Sequence, residues 1–218
     1  MKEYTLDYIV DPNCKLYQDK NMFRMNIDTK LLAQFIKVKK DDNILDIGTN
    51  NGALLVYLDQ FDIHSLTGVE ILPEACQIAQ KNADTFIKHP CSIVCSDIKE
   101  FQSDLFDVII SNPPFFPINE TNPNTVLDNR QLGRIEKNLT LNELVEQANR
   151  LLKSKGRFYF VHRCDRLNEI TQCLHKYNFS VKTLQIAYHT QSQEAKSICI
   201  EAIKDANCKC CILPPKWI

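Results

Sequence analysis

From Asn43 onward the chain alternates short, unbroken apolar runs with longer stretches in which apolar residues recur every three or four positions. Asn43–Ile47, Ser65–Glu70, Cys91–Cys95, Phe106–Ser111 and Arg157–Val161 are the short runs. Because polar residues do not alternate within them, they predict strands covered on both faces, the kind found in parallel sheets. Ala53–Gln60, Pro73–Phe86 and Thr140–Leu152 predict the helices between, with Pro73 acceptable in a first turn. Thr140 and Glu143 form a capping box, and Gly156 is placed as the stop of the same helix. Strand and helix in strict alternation predict a doubly wound α/β sheet.

The last third changes rhythm. Leu167–Tyr177 predicts a helix, followed by two strands, Ser180–Tyr188 and Ser197–Ile203, with no helix between them. A short polar connection forces such a pair to run antiparallel. The expected sheet is therefore seven-stranded and mostly parallel, with the last strand antiparallel. Ahead of the core, Tyr4–Val10 predicts an edge strand and Asp28–Val38 a helix with Asp28 or Thr29 near its cap. No repeat or linker divides the chain, so 1–218 reads as one domain: an N-terminal strand and helix extension over 1–40, a core over 41–204 and a tail over 205–218. The segment from Pro113 to Asn138 is irregular, and loops of that length in compact domains are functional or disordered.

Composition narrows the classes. A chain of 218 residues can bury a full core, and its formal net charge of -1 supplies no global basic field for nucleic acid, so any RNA contact needs a local patch. Ten cysteines are scattered without a secretory start, which predicts reduced thiols in a cytoplasmic protein. No apolar run is long enough to span a bilayer. Cys208, Cys210 and Cys211 lack an obvious fourth ligand, so no metal site is expected.

Chemistry concentrates at the ends of the predicted strands. The run Phe106–Ser111 stops at Asn112-Pro113-Pro114-Phe115, where two prolines remove two backbone donors and forbid helix. An amide side chain, an exposed carbonyl and an aromatic ring are thereby held at the mouth of a rigid loop. That set suits a planar amine: the Asn112 amide oxygen and a peptide carbonyl accept its two hydrogens while Phe115 stacks on its face. Adenine and a primary amide both fit; a plain strand terminator is the structural alternative.

The turn Asp46-Ile47-Gly48-Thr49-Asn50-Asn51-Gly52 follows the first core strand and holds two of only five glycines. Asn50 and Ala53 occupy the second and third glycine positions of a dinucleotide fingerprint, which disfavours a pyrophosphate. A tight turn with a few backbone donors and the acid Asp46 suits a ligand without one. Glu70, about twenty residues on, ends the second strand where an acid commonly accepts ribose hydroxyls. Asp97 follows the third strand, with Ile71 and Ile98 placed to pack on a base. Gly-rich turn, acid, acid and Asn-Pro-Pro-Phe thus stand at the carboxyl ends of successive strands, the edge along which open α/β sheets bind ligands.

With these motifs the chain resembles the amino-methyltransferase branch of the class I S-adenosylmethionine-dependent enzymes. More narrowly it is similar to the bacterial family that N6-methylates the adenine 3′ of the anticodon in a valine tRNA. Phe23-Arg24-Met25-Asn26-Ile27-Asp28-Thr29, Leu31-Leu32, Asn112-Pro113-Pro114-Phe115-Phe116, Gly133-Arg134, Gly156-Arg157-Phe158 and Glu194-Ala195-Lys196 carry the narrower likeness. It departs from the family at Asn50, which a turn tolerates, and at Ile135, where members often have His or Tyr. The resemblance implies a Rossmann-like methyltransferase fold and S-adenosylmethionine held by Asp46, Gly48, Thr49, Asn51, Gly52, Glu70, Ile71, Asp97, Ile98 and Asn112. It implies catalysis at Asn112, Pro113, Pro114 and Phe115.

The implied partner is the anticodon stem-loop of a tRNA, with no membrane; monomer and homodimer both stay open. Phe115, Phe116, Arg130, Arg134 and Lys196 are the substrate-side candidates, with packing beneath the loop the favoured role for Phe116. Lys137, Arg163 and Arg166 complete the possible cationic rim, and His162 reads as structural because the chemistry needs no base. Two alternatives share the motif. A protein glutamine N5-methyltransferase presents the same NH2 group but usually carries a helical domain ahead of the cofactor turn, which here begins early; a nonenzymatic S-adenosylmethionine- or nucleotide-binding module would not need Asn112 and Phe115.

Overall fold

The computed structural model describes residues 4–115, 138–190 and 194–218. Phe116, Arg130, Arg134 and Lys137 lie outside the described residues. In chain order the elements are β1 (Tyr4–Tyr8), β2 (Lys15–Asp19), α1 (Ile27–Phe35), β3 (Asn43–Ile47), α2 (Ala53–Leu58), β4 (Ser65–Glu70), α3 (Pro73–Phe86), β5 (Cys91–Cys95) and β6 (Phe106–Ser111). They continue with α4 (Leu141–Leu151), β7 (Leu152–Arg163), α5 (Leu167–Lys176), β8 (Phe179–Tyr188), β9 (Ala195–Lys204), β10 (Cys211–Ile212) and β11 (Lys216–Trp217).

The main sheet has the order β10-β8-β9-β7-β6-β3-β4-β5, with β11 also paired to β8. Strands β3 to β7 run parallel, and β9 is antiparallel to both β7 and β8. From β3 the chain winds outward to β4 and β5, then returns to β6 on the other side. The topological switch point therefore lies between β3 and β6, where open α/β sheets place their ligands.

Side chains alternate through the strands, as a period of two requires. Leu45, Ile47, Ile109, Phe158 and Phe160 pack with Leu144, Val145 and Ala148 of α4 and Ile170 and Leu174 of α5. Ile44, Val108, Ile110, Tyr159 and Val161 pack on the opposite face with Leu31, Leu32 and Phe35 of α1 and Leu54, Leu55 and Leu58 of α2. Both faces are covered, which is why the strands read as continuous apolar runs. Among the described residues no helix is long and apolar enough to cross a membrane.

Four expectations change. The seven long strands are joined by two more of two residues each, because the tail doubles back to pair with the exposed edge of β8. Tyr4–Val10 is no edge of the main sheet: it forms a separate hairpin with Lys15–Asp19. Asn82 of α3 holds that hairpin on the helix layer, its Oδ1 accepting from Tyr17 N at 2.7 Å and its Nδ2 donating to Tyr17 O at 2.9 Å. The cap of α1 is Asn26, whose Oδ1 accepts from Thr29 N, so Thr29 becomes the third helical residue. Finally, Gly156 does not stop α4. That helix ends at Leu151, and Leu152 is already extended and pairs with Phe106. Residues 153–156 then bulge out, with Lys155 at φ 62°; a Cβ on Gly156 would stand 2.6 Å from Leu152 Cγ, so only glycine closes the bulge.

Candidate active site

A cleft enclosing about 1080 Å³ of non-atom space, its open mouth included, runs along the carboxyl ends of β3, β4, β5 and β6. Asp46, Gly48, Thr49, Asn51, Glu70, Ile71, Asp97, Ile98, Asn112, Pro113 and Pro114 all line it. Gly52 does not line it and serves as the N-cap of α2.

The turn after β3 is built by backbone geometry. Gly48 and Thr49 both donate to Val69 O, at 2.9 and 3.1 Å, which folds the turn over the end of β4. Gly48 at φ 73° and Asn50 at φ 51° take left-handed conformations, one free of cost for glycine and the other tolerated by asparagine. Asn50 N then donates to Glu70 Oε2 at 2.9 Å, while Ile71 N and Leu72 N donate to Oε1 at 2.9 and 3.0 Å. Burial pushes the Glu70 carboxyl up, opposed by these three donors. With three of roughly four lone-pair sites filled, the carboxylate still accepts from a ligand hydroxyl.

Asp46 is only 1% exposed. Its Oδ2 accepts from Thr49 Oγ1 at 2.7 Å, whereas Oδ1 has no hydrogen-bond partner among the described residues. Burial pushes the carboxyl up to about 7, with the Thr49 hydroxyl opposing and the Glu70 charge adding to the rise. A buried acceptor left open at a cleft wall is costly in the empty protein and fits a ligand ammonium. The sign of its linkage is fixed: the folded state holds the proton more tightly than an unfolded aspartate at 3.8. The associated stability is complete at pH values below about 4 and is lost as pH rises through 7. We expect the melting temperature of the ligand-free protein to fall between pH 5 and 8 more steeply in wild type than in Asp46→Asn. Parallel curves for the two proteins would refute the shifted carboxyl.

Asp97 follows β5 and accepts from Lys99 N at 2.9 Å, so it caps a short turn as well as lining the cleft. Ile71 beside it is exposed, and Ile98 is buried. Together they form an apolar slot with an acid at its rim.

Asn112 is oriented from α1. Its Nδ2 donates to Thr29 Oγ1 at 2.9 Å. The Thr29 hydroxyl gives its own hydrogen to Asn26 Oδ1 at 3.2 Å and also accepts from Asn26 N at 3.3 Å. One donor and two acceptor sites are then all in use, so Thr29 can only receive from Asn112 and the amide oxygen is left for the cleft. Met22, Phe23, Met25 and Thr29 supply this side of the cavity. Asn50 Nδ2 donates to Phe23 O at 2.8 Å and Gln18 Oε1 accepts from Met25 N at 2.8 Å, tying the segment to the ligand turn. None of these four residues is legible as a site residue in the sequence, because Met22 to Thr29 has no periodic or catalytic signature of its own.

The expectation for Phe115 changes. It does not line the cleft; the ring is half-buried on the α1/α2 side of the core, edge-on to His162 with centroids 5.4 Å apart. Its carbonyl accepts from Arg166 Nη1 at 3.4 Å. His162 is buried, and its Nδ1 accepts from Arg163 N at 2.9 Å. Two cations of the expected rim are compensated within a few residues: Arg163 pairs with Asp165, and Arg166 with Glu169 through Nη2 at 2.7 Å. Lys196 is exposed at the start of β9, on the same edge of the sheet.

Comparison with known proteins agrees with this fold. The family model described as methyltransferase small domain matches residues 13–187. A Flavobacteriaceae bacterium protein named tRNA1(Val) (adenine(37)-N6)-methyltransferase is 32% identical over 144 residues, 65% of this chain and 60% of that one. The chain thus spans about three fifths of that relative's length. A Bacteroides thetaiotaomicron protein of the same name is 30% identical over 167 residues, covering 75% and 69%. Among solved structures, the M. jannaschii tRNA m1G37 methyltransferase superposes with a TM-score of 0.71 at 13% identity, over 94% of this chain and 58% of that one. A family match over most of the chain and a class I methyltransferase sheet with its cleft at the switch point give one conclusion: the chain belongs to the methyltransferase small domain family.

Proposed function

We propose that the protein transfers a methyl group from S-adenosylmethionine to the N6 amine of an adenine in the anticodon loop of a tRNA, the base 3′ of the anticodon in a valine tRNA. The reading is carried by one observation: Asn112-Pro113-Pro114 shares a cleft with Asp46, Glu70 and Asp97, and Thr29 leaves the Asn112 amide oxygen free to accept. The names of the two relatives above support the substrate.

The cleft fits the cofactor chemically. Asp46 Oδ1 would accept from the ammonium, Glu70 from the ribose diol, and Asp97 from the adenine amine, with Ile71 and Ile98 against its ring. When bound, S-adenosylmethionine supplies an electrophilic methyl on a positively charged sulfur. The residues of the chain then need only position the nucleophile. Asn112 Oδ1 and the Pro113 carbonyl accept the two N6 hydrogens, drawing the nitrogen out of conjugation and aiming its lone pair. The two prolines hold that pair of acceptors rigid, so little entropy is lost on alignment. The nitrogen would take the methyl from the sulfonium, which would depart as a neutral thioether, and the extra proton on the nitrogen would pass to water.

An unstacked loop base is reachable without opening a duplex. Incubation of a valine tRNA transcript with protein and cofactor, followed by mass spectrometry of the nucleosides, is expected to yield N6-methyladenosine at the base after the anticodon. Methyl transfer to a glutamine side chain with none to tRNA would replace this reading with the protein-directed one.

A further inference from the structure

An RNA substrate needs cations, and the cations expected at the rim are in part already spent: Arg163 and Arg166 are neutralised by Asp165 and Glu169. The N-terminal hairpin presents a different set. In the β1–β2 pair, Tyr4, Leu6 and Tyr8 share one face, opposite Asp19, Tyr17 and Lys15 respectively. The other face turns inward, with Leu16 and Gln18 buried and Asp7 engaged by Gln18 Nε2 at 2.6 Å and by Arg24.

On the outer face Leu6 and Tyr8 are 53% and 49% exposed. Lys30 Nζ stands 5.5 Å from the Tyr8 ring centroid, and Lys81 Nζ stands 4.4 Å from the centroids of both Tyr4 and Tyr17. Lys15, Lys30 and Lys81 form no ion pair among the described residues. The acid on this face, Asp19, is buried and accepts from Asn21 N at 2.8 Å; Asp11 at the hairpin turn and Asp84 on α3 flank the surface. Tyr8 is the open ring of this face, whereas Tyr4 and Tyr17 are half-buried, Tyr4 against Met22, Ala75 and Ile78 and Tyr17 with its ring centroid 5.4 Å from that of Phe86. With three lysines beside them the face combines aromatic surface with phosphate-binding charge. The ribbon adjoins the cleft: Lys30 follows Thr29, whose hydroxyl holds Asn112.

We propose that this outer face, Tyr4, Leu6, Tyr8, Lys15 and Tyr17 with Lys30 and Lys81, is a docking surface for an RNA strand that flanks the target base. The proposal rests on the tRNA reading above for the identity of the RNA. Its charge is matched to an RNA backbone, and its tyrosine rings to bases splayed out of a loop.

Two variants test it, the triple Lys15→Ala/Lys30→Ala/Lys81→Ala and the single Tyr8→Ala, the second altering an exposed ring only. Each is assayed beside wild type with a valine tRNA transcript at several salt concentrations, after melting curves establish that it folds. The triple variant is expected to raise KM for tRNA at least about tenfold near 0.15 M salt and to flatten the salt dependence by about 0.7 per lost phosphate contact. Tyr8→Ala is expected to raise KM severalfold with the salt slope unchanged, and both should keep the cofactor Kd and the turnover at saturating tRNA.

Unchanged KM and salt slope in the triple variant would overturn the proposal. So would a wild-type dimer, seen by sedimentation, that Tyr8→Ala dissociates, since the face would then be occupied by a second copy. If wild type methylates no RNA, the functional reading fails by itself. Gel-shift binding of the unmodified transcript then decides this one: weaker binding by the variants supports it, and equal binding defeats it.

Discussion

Replacing Asn112 by alanine is expected to lower kcat on tRNA by about 10²–10³-fold while leaving the cofactor Kd within about threefold. The magnitude follows from the loss of one preorganised acceptor at a reacting centre, where single groups of this kind are worth roughly 3–4 kcal/mol of transition-state stabilisation. An adenine amine is a poor nucleophile because its lone pair is delocalised, so its reactivity depends on the acceptors that hold its hydrogens. The cofactor, by contrast, is assigned chiefly to Asp46, Glu70 and Asp97, which stand on other strands. Pre-steady-state turnover with saturating tRNA, beside cofactor titration, separates the two effects. A variant with wild-type kcat would remove Asn112 from the chemistry and with it the mechanism proposed here.

The largest structural effect is expected away from the cleft. Arg157 Nη2 meets Asp42 Oδ1 and Oδ2 at 2.6 and 2.5 Å, and both residues are under 10% exposed. Arg157 Nη1 also donates to Lys37 O at 2.7 Å, so one guanidinium joins the chain after α1 to the start of β3 and the middle of β7. Asp42→Ala leaves that charge buried without its partner, at a cost of about 3–5 kcal/mol. Against a typical reserve of about 5–15 kcal/mol, this is a large fraction. For a chain of this size it corresponds to a melting temperature lower by roughly 6–20 °C. The double variant Asp42→Leu/Arg157→Met should regain most of the loss, because replacing a whole buried pair with apolar residues is often neutral or better. A single variant that melts within about 2 °C of wild type would show that the pair is solvated and unimportant. Because β3 and β7 flank β6, loosening them also frees the strand that carries Asn112.

Much of the site could be read from residue order alone, for a physical reason. Parallel strands buried on both faces announce themselves as apolar runs, and in a doubly wound sheet their carboxyl ends must share one edge. Asp46, Glu70, Asp97 and Asn112 each follow or end such a run, so their common cleft follows from connectivity. The tight turn was legible too: Gly48 and Asn50 are residues that accept a positive φ, and both have one.

Contacts between segments distant in sequence were not legible. Thr29 and Asn112 are 83 positions apart and meet only because α1 packs across β7, the neighbour of β6 in the sheet. No local signal distinguishes a threonine that orients an amide from one that merely completes a capping box, and Thr29 does both. Phe115 and His162 show the same limit: an aromatic ring after two prolines looks like a stacking surface, yet its direction is set by what packs beneath it.

Local periodicity and turn chemistry, acting over a few residues, therefore determined the strands, the helices, the edge that carries the chemistry and the acids along it. The tertiary structure alone decided that Tyr4–Tyr8 leaves the sheet for a hairpin on α3, that the tail adds two strands, and that the Asn112 oxygen is the free end of its amide. Those outcomes depend on which surfaces meet after collapse, and a linear sequence carries that information only through packing partners that are far apart along the chain.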